Sequence, residues 1–215
     1  VFHVKRTDRI LTRRLALNLL PLLVSSVITT ASRATPEIAP SAASFAGQLL
    51  IATPAMSDPR FAETVILLVR HDATGAMGIA VNRPVGWRLF AALMRAIGQD
   101  ATGVTGQVRV FAGGPVQADV GFILHTEDYH RSGTIDIDGK IAMTSSPEIL
   151  QDMAHRRGPA QSLIAFGYAG WGPGQLESEL ALRAWAMIPD DPRLVFDEDR
   201  ADVWNAASQR AGSQP

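Results

Sequence analysis

The chain contains no cysteine among its 215 residues. That excludes disulfides, thiolate zinc sites, iron–sulfur ligation and thiol nucleophiles, and leaves the compartment open. Charge is also thin. Only 19% of residues are charged against 47% apolar, a balance that supplies a packed core and argues against global disorder. Basic residues are scarce where a nucleic-acid binder needs them. The formal net charge of −1 divides unevenly: residues 1–34 hold six basic residues and one acid, leaving 14 basic and 20 acidic residues, a net −6, for the rest. No dense Lys/Arg stripe follows Arg33. An acidic body without such a stripe cannot displace phosphate counterions over a broad face, so direct DNA binding is not expected.

Several catalytic signatures are missing too. No Gly-Lys-Ser/Thr follows a glycine-rich loop, no Gly-x-Ser-x-Gly elbow occurs, and no internal repeat is evident. Asp190-Asp191-Pro192 and Asp197-Glu198-Asp199 read as solvated loop acids, so no carboxylate pair stands out.

What is present begins with a leader. Lys5–Arg14 is basic, Leu15–Ile28 is apolar, and small residues lead to Ala34, the organisation of a secretory signal. Thr12-Arg13-Arg14-Leu15-Ala16-Leu17 resembles a twin-arginine export signal, with Ala16 and Asn18 departing from the usual pattern. The apolar run is short for a span of about 20 residues, and Asn18 and Pro21 interrupt it, so no stable membrane span is expected after leader removal. Export to the periplasm is the leading expectation. A permanent anchor and a start-site artefact, which would leave the protein cytoplasmic, are the alternatives. Residues 35–46, with Pro36 and Pro40, read as a linker, and 47–212 as the folded domain.

Within that domain, strands are expected over Gln48–Thr53, Thr64–His71, Met77–Asn82, Val108–Ala112, Gly121–Thr126, Thr134–Ile137, Ile141–Thr144 and Ser162–Gly167. Thr64–Val69 is apolar almost without a break, which predicts cover on both faces. Asp138-Gly139 predicts a type I′ hairpin turn. Helices are expected over Trp87–Ile97, Pro147–Arg157, Gln175–Ile188 and Arg200–Ala211, from apolar spacing and terminal Gly, Pro and acidic residues. Hairpins mixed with helices predict an α+β domain.

Gly-punctuated strings run through this domain: Gly47–Pro54, His71–Pro84 with its Gly75 and Gly78, Gly113-Gly114-Pro115, Gly121–Thr126, and Gly167-Tyr-Ala-Gly-Trp-Gly-Pro-Gly174 before Gln175-Leu176-Glu177. In order and spacing they resemble the AlgH/YqgE family over roughly Gly47 to Ala211. The resemblance implies a small β-barrel or bifurcated sheet surrounded by helices. It also implies the label of transcriptional regulator, in a family whose biochemical activity is not established. Two departures stand out. Most AlgH-like proteins lack the leader, and some carry a Cys where this chain has Val69, so no thiol mechanism operates here.

The candidate functional surface is His71, Asn82, His125, Tyr168, Gly170 and Trp171. The polar members sit at expected strand ends, where sites are often built. His71 can act as a general base or lock its own strand exit. Asn82 can orient a substrate or tie down a loop. Gly167–Gly174, expected as a loop between strand and helix, can present N–H groups to an anion or seat Trp171 in the core; Glu177 opposes phosphate there. His125, Asp128 and His130 match no familiar metal spacing, so neither metal nor cofactor is expected. With no complete catalytic constellation, the leading expectation is a non-enzymatic domain that binds a protein or small molecule. The alternatives are a transcriptional regulator, acting directly or indirectly on gene expression, and an enzyme using the strand-end residues. A basic face of Arg83, Arg88 and Arg95 would favour the regulator, and convergence of the histidines in a pocket the enzyme.

Overall fold

Period-two alternation with both faces apolar sets the architecture. The computed structural model describes residues 44–196 and 202–212. The leader, the linker up to residue 43, Asp197-Glu198-Asp199 and the expected helix start at Arg200 lie outside the described residues. The elements run β1 (Gln48–Ala52), β2 (Val65–Asp72), β3 (Gly75–Ala80), β4 (Pro84–Leu89), α1 (Phe90–Ala96), β5 (Gln107–Ala112), β6 (Val116–Thr126), β7 (Ile135–Asp136), β8 (Ile141–Thr144), α2 (Glu148–Ala154), β9 (Ser162–Trp171), α3 (Gln175–Ala181), β10 (Trp185–Pro189), α4 (Pro192–Phe196) and α5 (Val203–Gly212). In β1 and β2, Leu49, Ile51, Val65, Leu67 and Val69 enter one core cluster, and Leu50, Ala52, Ile66 and Leu68 enter another. Strands covered on both sides have no polar face, which accounts for the unbroken apolar run.

The sheet follows the order β10-β1-β2-β3-β9-β6-β8-β7 and curls into a half-barrel. It is antiparallel except where β5 lies parallel to β9, at Val110↔Ile164 to Ala112↔Phe166. β9 is the axis of the fold. One of its edges carries β6; the other is divided between β5, along its first half, and β3, at Ala76↔Trp171 to Gly78↔Ala169. The sheet is therefore bifurcated at β9. The inside of the curl is filled by Phe111, Phe122, Leu124, Leu163 and Ala165, closed by Leu194, Val195 and Phe196 of α4 and Val203 and Ala207 of α5. Outside, α3 covers one part of the sheet through Leu176, and α1 and α2 cover another through Phe90, Met94, Ile149 and Leu150. The result is the expected α+β fold.

The glycine strings mark where backbones cross closely. A Cβ on Gly167, whose φ is +73°, would overlap the Gly114 carbonyl; one on Gly75, at φ +129°, would overlap the Trp171 carbonyl. Both need glycine for space and for backbone angle. Gly170 does not: its φ is not positive, and its nearest neighbour is the Tyr168 ring.

Four local expectations need correction. Gly167–Gly174 is not a loop throughout, because β9 continues to Trp171 by pairing with β3. Trp87–Ile97 is helical only from Phe90; Trp87, Arg88 and Leu89 are extended because they pair with Arg109, Val108 and Gln107 of β5. Gln175–Ile188 is not one helix. It stops in a Schellman turn, with Arg183 at φ +56° and the Arg183 and Ala184 N–H groups donating to Leu180 and Glu179 carbonyls, and β10 follows. That stop uses arginine where glycine is usual, so the sequence carried no visible signal. The β7–β8 hairpin forms, but residues 137–140 make a four-residue connection in which Gly139 alone has positive φ, so it is not type I′.

Candidate functional site

The sequence-predicted residues do not meet at one place. His71, at the end of β2, pairs with Ala76, which pairs with Trp171 at one end of β9; His125 pairs with Ser162 at the other end. Nine strand steps separate Ser162 from Trp171 on β9, about 30 Å at the usual strand rise. The histidines therefore do not share a pocket.

Each is instead held by its surroundings. The buried His71 ring accepts the Phe45 N–H on Nδ1 at 3.1 Å and lies 2.7 Å from Glu177 Oε1 through Nε2. Acceptance at Nδ1 places the ring proton on Nε2, which donates to Glu177. Phe45 stacks on the ring at 4.4 Å, and Ser44 Oγ donates to the His71 carbonyl. The hydrogen bond from His71 holds the Glu177 carboxyl below its ordinary range. His125 is fully buried. Its Nδ1–H donates to the Thr126 carbonyl at 2.8 Å and its Nε2 accepts from Thr144 Oγ1 at 2.9 Å, while burial pushes its pKa down. Asn82 accepts the Val65 N–H and donates to the Glu63 carbonyl, so it ties down the loop before β2. Tyr168 packs edge-on against Phe122 at 5.9 Å.

Trp171 is 7% exposed and anchors a second knot. Its Nε1–H and that of Trp185 both donate to Glu179 Oε2, at 2.9 and 2.8 Å, and Gln175 Nε2 donates to Oε1 at 2.9 Å. Gly170 and Trp171 also line a cleft with Arg60, Phe61 and Leu182, but its Glu179 carboxylate is already served by three donors and its Asp58 by Arg60. Of the arginines expected to form a basic face, Arg83 is engaged within the fold, its guanidinium donating to Thr64 Oγ1 and the Ala62 carbonyl.

A different place is open. A cavity of about 460 Å³ lies between β4, α1, β5 and β9. Its size follows from small side chains: Ala92 and Ala96, one turn apart on α1, with Ala112, Gly114 and Ala118, leave space that Leu93, Val110 and Phe166 border. Arg88 is the one charged residue in the lining among the described residues. Phe90 and Met94, on the buried side of α1, fasten the helix to the sheet. Sequence reading placed Arg88 on an expected helix and missed the cavity. The available signal was the Ala92/Ala96 spacing beside Leu93, an apolar helix face with its volume removed. Among the described residues no group of three or more His, Asp or Glu side chains is arranged to hold a metal, and no helix is long and apolar enough to cross a membrane.

One further cluster was hidden. Asp190 is not a solvated loop acid. Its side chain is 1% exposed, Lys140 Nζ lies 2.5 Å from its Oδ1, and Asp138 receives the same ammonium at 3.1 Å. Burial, and after it the hydrogen bond to the Asp138 carboxyl, push the Asp190 pKa up to about 6. Burial acts to raise Asp138 too, but hydrogen bonds from Asp190 and from the Ile141 and Lys140 N–H groups outweigh it and hold Asp138 low. Asp190 follows β10 and Asp138 follows β7, the two ends of the sheet order, so the Lys140 ammonium that both carboxylates share joins the ends of the curl.

Comparison with known proteins agrees with this architecture. The DUF179, AlgH-like family matches residues 49–215. A UPF0301 protein from Jannaschia sp. is 46% identical over 79% of the chain and 89% of that relative. Another, from Afipia carboxidovorans, is 44% identical over 77% of the chain and 83% of the relative. The solution structure of the AlgH protein from Pseudomonas aeruginosa superposes with a TM-score of 0.67 at 36% identity, covering 86% of the chain and 94% of that protein. A crystal structure from Corynebacterium diphtheriae, at 23% identity and a TM-score of 0.60, shares the fold; it covers 79% of the chain and 86% of that protein.

Proposed function

The chain belongs to the AlgH-like family, and from that premise we propose that it is a non-enzymatic binding domain that takes a small molecule into the β4–α1 cavity. The carrying observation is the contrast in the polar inventory. His71, His125 and Asn82 are each engaged in hydrogen bonds that organise the fold, and the histidines stand at opposite ends of β9. The cavity is a mostly apolar concavity of ligand size with one orienting cation. This supports binding over catalysis. Any regulatory role then follows from the ligand or a protein partner rather than from DNA contact, in keeping with the acidic body and the engagement of Arg83 within the fold. The leader supports a place of action outside the cytoplasm.

A protein partner is the second reading, favoured by β4 itself. Val85, Trp87 and Leu89 are 56–60% exposed on a strand that pairs only with β5 among the described residues. An open edge of that kind can accept another strand.

The test is a small-molecule fragment screen read by amide chemical shifts. Responses should centre on β4, α1 and β5. Hits that map to Glu179 and Trp171, or submicromolar sequence-dependent binding to DNA fragments at physiological salt, would sink the cavity reading.

A further inference from the structure

We infer that the ligand of the β4–α1 cavity is a compact apolar monocarboxylate whose tail fills the cavity and whose carboxylate meets Arg88. This rests on the cavity being a binding site and adds the chemical class of what it holds.

Size comes first. A space of about 460 Å³ holds about 15 groups, taking about 30 Å³ for each water-sized unit. That is room enough for a compact chain or ring system of about ten to fifteen heavy atoms. Chemistry comes next. Ala92, Leu93, Ala96, Val110 and Phe166 offer no side-chain hydrogen bond, so a sugar or base would lose its solvation there without replacement. The body of the ligand must be apolar.

Charge decides the head group. Among the described residues no acid lines the cavity, and Arg88 is its only charged side chain. Its Nη1 donates to the Trp87 carbonyl at 3.0 Å, and among the described residues no carboxylate forms an ion pair with it. A guanidinium has five N–H donors, so most of the fork remains for a ligand, in the geometry that suits a carboxylate. A single cation matches one negative charge. Phosphate esters would bring a second charge with nothing in the lining to meet it. The bond to Trp87 also restrains the side chain, which lowers the entropy lost when a carboxylate docks.

The experiment is calorimetric titration of the full chain at pH 7.5 with octanoate, octan-1-ol and octylamine, which share a tail and differ in head group. Octanoate should bind at one site. The alcohol should bind at least tenfold more weakly and the ammonium more weakly still. Arg88→Gln should weaken octanoate at least tenfold and bring it level with the alcohol. Filling the cavity by Ala92→Trp, or by Ala96→Leu should the larger change disturb folding, should abolish binding of all three. If the alcohol or amine binds as tightly as octanoate, or if Arg88→Gln leaves octanoate unaffected, the monocarboxylate assignment falls while the cavity stands as a site. If none of the three binds, or if octanoate binding survives both filled variants, the cavity reading falls with it.

Discussion

The two sides of β9 use the same materials to opposite ends. At its C-terminal end, beneath α3, large aromatic side chains surround polar groups whose partners are already in place. Glu179 receives two indole N–H groups and one amide, and His71 is fixed from both ring nitrogens. Beside its first half, around β4 and α1, the cavity-lining side chains are small, the strand edge is open, and Arg88 has only the carbonyl of its neighbour among the described residues. A saturated polar network makes a rigid frame, whereas an unfilled space with a spare cation leaves interaction energy for something else. The glycine strings serve both sides: Gly167 and Gly75 let backbones cross within the frame, whereas Gly114 also borders the cavity.

The largest effect expected from this contrast is Trp171→Ala. Truncating a buried Trp typically costs about 3–5 kcal/mol, and here it also removes one donor from Glu179. Urea unfolding should show that loss, while the variant, where folded, keeps its affinity for octanoate. Loss of binding with unchanged stability would reverse the assignment of frame and site.

Much of the frame was legible in the sequence, because the signals were local. The unbroken run Thr64–Val69 announced a strand covered twice, and β1, β5 and β8 lie where apolar runs bounded by Gly, Pro or Asp placed them. β4 and β10 were not legible. Trp87–Leu89 and Trp185–Ile188 fit a helical period as well as an alternating one, and only pairing with β5 and β1 selects the extended form. The expected site residues were chosen as polar groups at strand ends, and the structure separates them, because a strand end satisfies polar side chains as readily as it presents them. The cavity escaped notice for the opposite reason. Alanines at i and i+4 are a faint signal, and the space they leave depends on what packs across from them.

A smaller effect is expected where the ends of the curl meet. Asp190 has a folded-state pKa raised from 3.8 to about 6. Folding therefore favours its protonated form, so stability is lost as pH rises from about 4 through about 6. A rise of that size is worth about 3 kcal/mol at most, and less once solvent screening and the neighbouring Asp138 carboxyl are counted. Asp138, held low, acts in the other direction, losing stability as pH falls below the ordinary carboxylate range. A maximum between these limits is the expected profile. Asp190→Asn should flatten the decline between about pH 4 and pH 6.5 in denaturant titrations; an equal decline in the variant would place its cause elsewhere.

His71→Ala should cost about 1–3 kcal/mol, the usual penalty for leaving a buried group without its partner. The abandoned group is the Phe45 N–H, which the ring accepts, and the Phe45 side chain loses its stacking surface. His71→Asn keeps a side chain of the right polarity and should recover part of the loss. Amide exchange at Phe45 and Ala46 should quicken in the alanine variant more than exchange in β5 or β6. A uniform increase across the domain would mean that His71 supports the whole sheet rather than the seat of Ser44–Phe45.

The smallest stability effect should come from Arg88→Ala, and that smallness is what sharpens the contrast between the two sides. Arg88 is exposed, carries no ion pair among the described residues, and donates a single side-chain hydrogen bond to a carbonyl on its own edge strand. Surface changes away from packed or paired groups usually stay within about 0.5 kcal/mol. Unfolding midpoints of the variant should match wild type within that margin, whereas Arg83→Ala, which removes the bonds to Thr64 and Ala62, should lower them visibly. Two arginines five residues apart would then differ in kind, one belonging to the frame and the other held in reserve for a ligand. Comparable losses in both variants would show that Arg88 also serves the fold, and the open side of β9 would lose the group that distinguishes it.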